Sequence, residues 1–109
     1  MILKILENII KEELNKLNYE VDAKVIKSNR PDLCDYQFDG VFKLASIYKK
    51  SPIEIGEEIV KSINERGDFS HYFSEVSFVK PGFINIKISD TLINELLVKM
   101  NENDKFNIE

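Results

Sequence analysis

Pro81 and Gly82 interrupt two stretches of alternating apolar and polar residues, 75–79 and 83–88. Alternation with a period of two is typical of β-strands that bury one face. Proline and glycine favour the two central positions of a type II turn. The pattern therefore predicts a β-hairpin closed by a type II turn.

The two faces of the second predicted strand carry different chemistry. Isoleucines at positions 84, 86 and 88 share the face expected to be buried, whereas Phe83, Asn85 and Lys87 share the other. An aromatic ring, an amide and a cation side by side suit one unpaired nucleotide base, since bases stack on aromatic rings and form hydrogen bonds with amides while lysine binds phosphate. Alternatively, Phe83 covers the edge of the core, which the pattern alone favours because single surface aromatics are common.

Other stretches have apolar residues at three- and four-residue steps, the spacing of amphipathic helices. They are residues 2–17, about 40–50, 52–66 and 90–100. Ser51, Pro52 and Glu54 form the clearest start signal, with serine as N-cap, proline at the first helical position and glutamate closing a capping box. Asp90 is predicted to cap the last helix.

Shorter patterns predict the remaining strands. Alternation over 21–26 predicts a strand that ends near Ser28, and Pro31 with its polar neighbours predicts a turn over 29–32. The short aromatic stretch 35–38 predicts a second, brief strand. Together the elements predict an α+β two-layer sandwich, in which helices cover one face of a small, mostly antiparallel sheet of about four strands and leave the other partly open.

The predicted core combines the apolar faces of these helices and strands. It contains Ile5, Leu6, Ile9, Leu44, Ile59, Ile63, Ile84, Ile86 and Leu96. One domain is expected over residues 1–100, because 109 residues with 43% hydrophobic content supply a single core. Residues 101–109 are polar and are expected to form a tail or the start of a linker.

Charge and composition limit the partners. A net charge of −4 repels polyanions, so general affinity for nucleic acid is not expected. No apolar run approaches the roughly 20 residues of a membrane span, so no membrane contact is expected. The single cysteine cannot form an internal disulfide, which favours a reducing, cytoplasmic location. The chain is expected to be a monomer.

Residues able to catalyse a reaction are sparse. His71 is the only histidine and Cys34 the only thiol, too few to build a metal site. The sequence contains no glycine-rich phosphate-binding loop and no nucleophile motif. The chain alone is therefore expected to be no enzyme and to hold no metal or cofactor.

Two short stretches resemble the N-terminal "additional" domain of arginyl-tRNA synthetases. One is Asp-Tyr-Gln at 35–37, ahead of a predicted helix, and the other is Pro-Gly-Phe-Ile-Asn-Ile at 81–86. The order and length of the elements extend the resemblance over nearly the whole chain. The chain departs from the family pattern at Cys34, where the family usually has glycine, and at Asp39, where it often has asparagine.

The resemblance implies a non-catalytic module that docks tRNA(Arg) through its D-loop, at the corner of the L-shaped molecule. Phe83 and Asn85 would contact an unpaired D-loop base, and Lys80 occupies another contacting position. The residues expected at the tRNA contact are Phe83, Asn85, Lys80, Lys87, Tyr36 and Gln37. The parent chain would be an ATP-dependent arginine–tRNA ligase whose catalytic domain follows Glu109 and uses ATP and Mg²⁺.

Two other classes of function stay open on the sequence. A protein–protein interaction module would use the open sheet face, with Phe83 as its anchor. A free-standing enzyme would need a nucleophile or an acid–base pair that the sequence does not supply.

Overall fold

The computed structural model of the chain describes residues 2–28 and 34–103. Its elements are α1 (Ile2–Lys16), β1 (Val25–Lys27), β2 (Tyr36–Phe38), α2 (Val41–Tyr48), α3 (Pro52–Asn64), α4 (Phe69–Tyr72), β3 (Phe73–Val79), β4 (Phe83–Ile88) and α5 (Asp90–Asn103). The turn predicted over 29–32 lies outside the described residues. Of the predicted tail, residues 101–103 continue α5, and 104–109 lie outside the described residues.

The strands form one antiparallel sheet in the order β1-β2-β4-β3. Ile86 of the central strand β4 lies opposite Tyr36 of β2 and Val76 of β3, so these three side chains share one face of the sheet. Helices α1, α2 and α3 contribute buried apolar residues to the core on that inner face. The predicted α+β two-layer sandwich is confirmed.

Most of the predicted core is buried as expected. The buried members are Leu6, Ile9, Leu44, Ile59, Ile63, Ile84 and Ile86. Ile5 and Leu96 are only partly buried. Leu96 lies on α5, which packs against the short α4 and leaves Ile93 and Leu97 exposed, so the apolar stripe of this helix is less buried than predicted. No helix among the described residues is long and apolar enough to cross a membrane.

The predicted strand over 21–26 is mostly not a strand. Val21 and Ala23 pack against the core as the alternation requires, but β1 begins only at Val25. Its partner β2 has three residues, so β1 has only three positions at which to pair. At the first residue of β1, the Val25 N–H donates to Glu7 Oε2 of α1 at 3.0 Å.

Two helix starts differ from the sequence prediction. Ser51 precedes α3 in an extended conformation and Pro52 opens it, but the Ser51 side chain makes no capping hydrogen bond, so the predicted capping box is wrong. The fixed φ of proline suits the first turn without that bond. At α5 the cap is Ser89 rather than Asp90, since Ser89 Oγ accepts the Leu92 N–H at 3.1 Å.

Helix α3 approaches the sheet closely at Gly56, which faces Phe78 of β3. A Cβ built on Gly56 would overlap the Phe78 ring. The helix and the sheet can therefore pack at this distance only because residue 56 has no side chain.

A buried carboxylate joins α1 to α3. Glu13 is 1% exposed, and it accepts hydrogen bonds from Ser62 Oγ at 2.5 Å, Arg66 Nη1 at 2.7 Å and Lys16 Nζ at 3.0 Å. Burial alone would raise the pKa of Glu13, but these three donors outweigh it and hold the pKa below its ordinary value of 4.5. The carboxylate is thus kept charged inside the fold by its partners.

We expect Gly56→Ala to destabilise the chain by about 1–3 kcal/mol, because the new methyl group forces Phe78 or α3 to move in a packed region. Gly67→Ala is the matched control, since nothing lies within 4 Å of a Cβ at Gly67. Urea unfolding monitored by circular dichroism measures both variants. Equal unfolding midpoints for the two variants would contradict the close approach at Gly56.

We expect Glu13→Gln to be less stable than the parent at pH 7, by about 3 kcal/mol, since the buried cluster loses its negative charge and one of its two acceptor oxygens becomes an NH₂ donor. The folded pKa of Glu13 is lowered. Its contribution to stability is therefore fully present above pH 4.5 and is lost as the pH falls through the lowered folded value.

The difference in unfolding free energy between parent and Glu13→Gln should therefore shrink below pH 4.5. Urea titrations from pH 7 to pH 3 measure it. Asp68, whose pKa the hydrogen bonds from Arg66 also lower, is present in both proteins, so the difference isolates Glu13. A difference independent of pH would show that Glu13 is not the titrating group.

Candidate functional site

The sheet face opposite the core carries a mixture of polar and apolar side chains. This open face consists of Ile26, Gln37, Glu75, Ser77, Val79, Phe83, Asn85 and Lys87. Cross-strand pairing places Gln37 and Ser77 on either side of Asn85. All these side chains are half-buried or exposed, so the face is accessible to a ligand.

Phe83 lies at the turn end of the open face, opposite Val79. The ring of Phe42, near the start of α2, meets it edge to face, with centroids 6.0 Å apart and planes at 86°. This geometry is favoured for aromatic pairs, so Phe42 restricts the orientation of the Phe83 ring. With 43% of its surface exposed, Phe42 also extends the apolar surface beside Phe83.

Phe42 was missed by the sequence prediction. Its signal is a large aromatic residue outside the buried stripe of α2, which contains Val41 and Leu44. The Phe42 side chain does not point into the core, and its partner, Phe83, becomes evident only when β4 is paired with β2. The pairing brings the hairpin tip beside the start of α2.

The turn at the tip of the hairpin is not type II, because that turn needs a positive φ at Gly82 and no described glycine has one. Gly82 is needed for a different reason. A Cβ on Gly82 would lie 2.8–3.0 Å from the outer atoms of the Phe42 ring. The glycine therefore makes room for the aromatic pair.

Gln37 and Asn85 are brought into direct contact on the open face. They are paired residues of β2 and β4, and Gln37 Nε2 donates a hydrogen bond to Asn85 Oδ1 at 2.8 Å. The two amides come from stretches that are 48 residues apart in the sequence. Gln37 and Asn85, both predicted to contact tRNA, thus form one amide pair on the open face.

The two predicted lysines stand at opposite ends of β4. Lys87 Nζ lies 3.6 Å from Glu75 Oε1, a solvent-exposed ion pair of small net value. Lys80, at the turn, is exposed and has no ion-pair partner in the described part of the chain. Both cations can bind an anionic group beside the aromatic and amide side chains.

Tyr36 is not part of the open face. It is 6% exposed and belongs to the core, because its neighbour Gln37 takes the outward position on β2. Burial, with a smaller effect of the nearby Asp35 charge, raises the pKa of the Tyr36 phenol above 10.0. The ring therefore packs as a neutral side chain beneath the sheet.

The two residues considered for metal or nucleophilic chemistry have separate partners. Cys34 is buried and donates to Ser28 Oγ at 3.2 Å, whereas His71 Nε2 lies 2.9 Å from Glu95 Oε2. Within residues 2–28 and 34–103, no group of three or more histidine, cysteine, aspartate or glutamate side chains could hold a metal ion. The open face itself carries an aromatic ring, two amides and a lysine, which can stack on a ligand and form hydrogen bonds with it.

Comparison with known sequences identifies relatives of the chain. Residues 4–88 match the family described as "Arginyl tRNA synthetase N terminal domain". An arginine–tRNA ligase of Francisella tularensis subsp. novicida is 35% identical over 95% of the chain, and one of Alkaliphilus oremlandii is 33% identical over 78%. The chain spans only 18% and 14% of the lengths of these two relatives.

Solved structures show the same fold. The arginyl-tRNA synthetase of Plasmodium falciparum matches with a TM-score of 0.75 and 26% identity over 99% of the chain, which is 20% of that protein. The Thermus thermophilus arginyl-tRNA synthetase matches with a TM-score of 0.73 and 24% identity over 89% of the chain, 16% of that protein. In both, the likeness is to a small part of a much longer chain.

We expect Gly82→Ala to cost about 1 kcal/mol of unfolding free energy, because the added methyl group displaces the Phe42 ring from its contact with Phe83. Urea unfolding measures the cost. In a Phe42→Ala background the same substitution should cost almost nothing, since the clash has been removed. Additive effects of the two substitutions would contradict the role assigned to Gly82.

Proposed function

Because the chain belongs to the family of arginyl-tRNA synthetase N-terminal domains, we propose that it docks tRNA(Arg) for an arginine–tRNA ligase without catalysing the reaction itself. The observation that carries the proposal is the placement of Phe83 and Asn85 two residues apart on one accessible face of β4. Next-but-one residues on a strand stand about 7 Å apart, within reach of one nucleotide. An unpaired base can then stack on Phe83 while its edge forms a hydrogen bond with Asn85.

An unpaired base of the tRNA D-loop is the proposed ligand. Stacking on an aromatic ring tolerates any base and contributes about 1–3 kcal/mol. The amide pair of Gln37 and Asn85 adds hydrogen bonds that depend on the atoms at the base edge. Together they select a tRNA that places an unpaired base at this point.

The lysines contribute to phosphate binding on either side of the base. Lys80 is already without a partner among the described residues, and Lys87 can leave Glu75 at little cost, since an exposed ion pair contributes little. A net charge of −4 supplies no long-range attraction to tRNA. The domain accordingly acts on selection and orientation, while most of the affinity comes from the rest of the enzyme.

The remainder of the proposed parent chain carries the chemistry. Its catalytic domain would bind ATP, Mg²⁺ and arginine, and the present domain would hold the corner of the tRNA as a monomer in the cytoplasm. This division of labour is supported by the relatives, which are named arginine–tRNA ligases and are several times longer than this chain.

In the full-length ligase, we expect Phe83→Leu and Asn85→Ala each to lower kcat/KM for tRNA by about tenfold, since about 1.4 kcal/mol of transition-state stabilisation is lost. Leucine keeps the apolar contact with Phe42 but has no aromatic face. Aminoacylation kinetics measure the effect, and KM for arginine and for ATP should not change. Ile47→Ala is the control, because Ile47 is 51% exposed on α2 but lies beside Lys43 and residues of α1, away from the hairpin.

A second measurement identifies the ligand. Each unpaired D-loop nucleotide is replaced in turn by an abasic nucleotide. For the tRNA that lacks the contacted base, Phe83→Leu should no longer lower kcat/KM. If Phe83→Leu and Asn85→Ala charge tRNA at the parental rate, the docking proposal is wrong. Loss of a protein partner in the same variants would then favour the interaction-module alternative.

A further inference from the structure

A single hydrogen bond from Gln37 fixes which end of the Asn85 side-chain amide can meet a ligand. In the contact of 2.8 Å, the Gln37 Nε2 group is the donor and Asn85 Oδ1 is the acceptor. Asn85 Nδ2 has no hydrogen-bond acceptor among the described residues. Because Oδ1 is directed at Gln37, the NH₂ group is the end of the Asn85 amide that faces away from Gln37 and can meet a ligand.

An asparagine without such a partner can present either end of its amide. Rotation about the terminal torsion exchanges the carbonyl oxygen and the NH₂ group at small cost, because this torsion is broad and roughly two-fold. A base edge that accepts a hydrogen bond and one that donates it would then both be accommodated. Discrimination between base edges requires that one orientation be fixed.

We propose that Gln37 is a positioning residue that fixes Asn85 as a hydrogen-bond donor toward the unpaired base. The ligand is then a base that turns an acceptor atom, a carbonyl oxygen or an unprotonated ring nitrogen, toward β4. This inference rests on the proposed docking function and specifies the polarity of its central contact. Gln37 acts through Asn85, and the two amides work as a unit.

The substitution Gln37→Glu separates this role from a structural one. A carboxylate only accepts hydrogen bonds, so Asn85 must turn and donate Nδ2 to it, which leaves Oδ1 facing the ligand. The cross-strand bond survives, but the polarity of Asn85 is reversed. In Gln37→Ala the bond is lost and both orientations of Asn85 become accessible.

The first experiment determines, without tRNA, which of the two amides donates the hydrogen bond. It uses nuclear magnetic resonance of the side-chain amides of the ¹⁵N-labelled 109-residue chain. In the parent, a hydrogen-bonded amide proton should belong to Gln37 and should shift to a free-amide position in Asn85→Ala. In Gln37→Glu, the hydrogen-bonded amide proton should belong to Asn85. A parent in which Asn85 is already the donor to Gln37 would overturn the proposal.

The second experiment measures kcat/KM for tRNA in the full-length ligase. We expect a reduction of about threefold in Gln37→Ala and about tenfold in Gln37→Glu, because only the second removes the outward donor completely. Ile26→Glu adds one carboxylate to the same face beside Gln37, and it measures the cost of the charge alone. The kcat/KM of Gln37→Glu should be lower than that of Gln37→Ala and lower than that of Ile26→Glu.

If kcat/KM for tRNA is lower in Gln37→Ala than in Gln37→Glu, Gln37 only stabilises the sheet, and the positioning role is overturned. Parental activity in both Gln37 variants, with losses in Phe83→Leu and Asn85→Ala, would also overturn it while leaving the docking function in place. Parental activity in all four variants would overturn the docking function and the inference together.

Discussion

Strand β4 is paired on both of its edges, with β2 on one side and β3 on the other, and the site depends on this arrangement. Because the strand cannot rotate or slip without breaking two sets of backbone hydrogen bonds, its side-chain alternation is fixed. Ile84 and Ile86 are fully buried against the helices. Burial of the isoleucines therefore forces Phe83 and Asn85 onto the opposite, accessible face.

The helical layer stabilises this arrangement through two close contacts. Gly56 lets α3 approach Phe78 of β3, and Glu13 ties α1 to α3 through Ser62 and Arg66. Neither contact lies on the open face. Since the helices pack against the inner face of the sheet, the open face can carry Phe83, and Phe42 of α2 lies beside that ring at the edge of the face.

Local patterns predicted the parts of the fold that depend on periodicity. The alternation of β4 and the apolar stripes of α1 to α3 identify both layers, because burial on one side dictates which positions are apolar. Caps and turns were predicted less well. Ser89 rather than Asp90 caps α5, and the Ser89 hydroxyl also donates to the carbonyl oxygen of His71. Gly82 makes room for the Phe42 ring instead of forming a type II turn. Both features depend on residues that are far away in the sequence.

In the candidate site, too, the features that follow from alternation are predicted from the sequence, whereas those that depend on distant residues are not. Phe83, Asn85 and Lys87 were predicted on one face from alternation alone, and the structure places them there, but it assigns Tyr36 to the core. The sequence showed no reason why Asp-Tyr-Gln at 35–37 and Pro-Gly-Phe-Ile-Asn-Ile at 81–86 should occur together. Only the register of β2 on β4 supplies one.

That register explains the joint occurrence of the two stretches. Aligning Tyr36 with Ile86 in the core also aligns Gln37 with Asn85 on the open face. A shift by one residue would bury the amides and expose the isoleucine and the tyrosine, at a cost in apolar burial that the small sheet could not support. The same apolar contacts that hold the two strands in register thus bring together the amide pair available to a ligand, so that stability and recognition depend on one alignment.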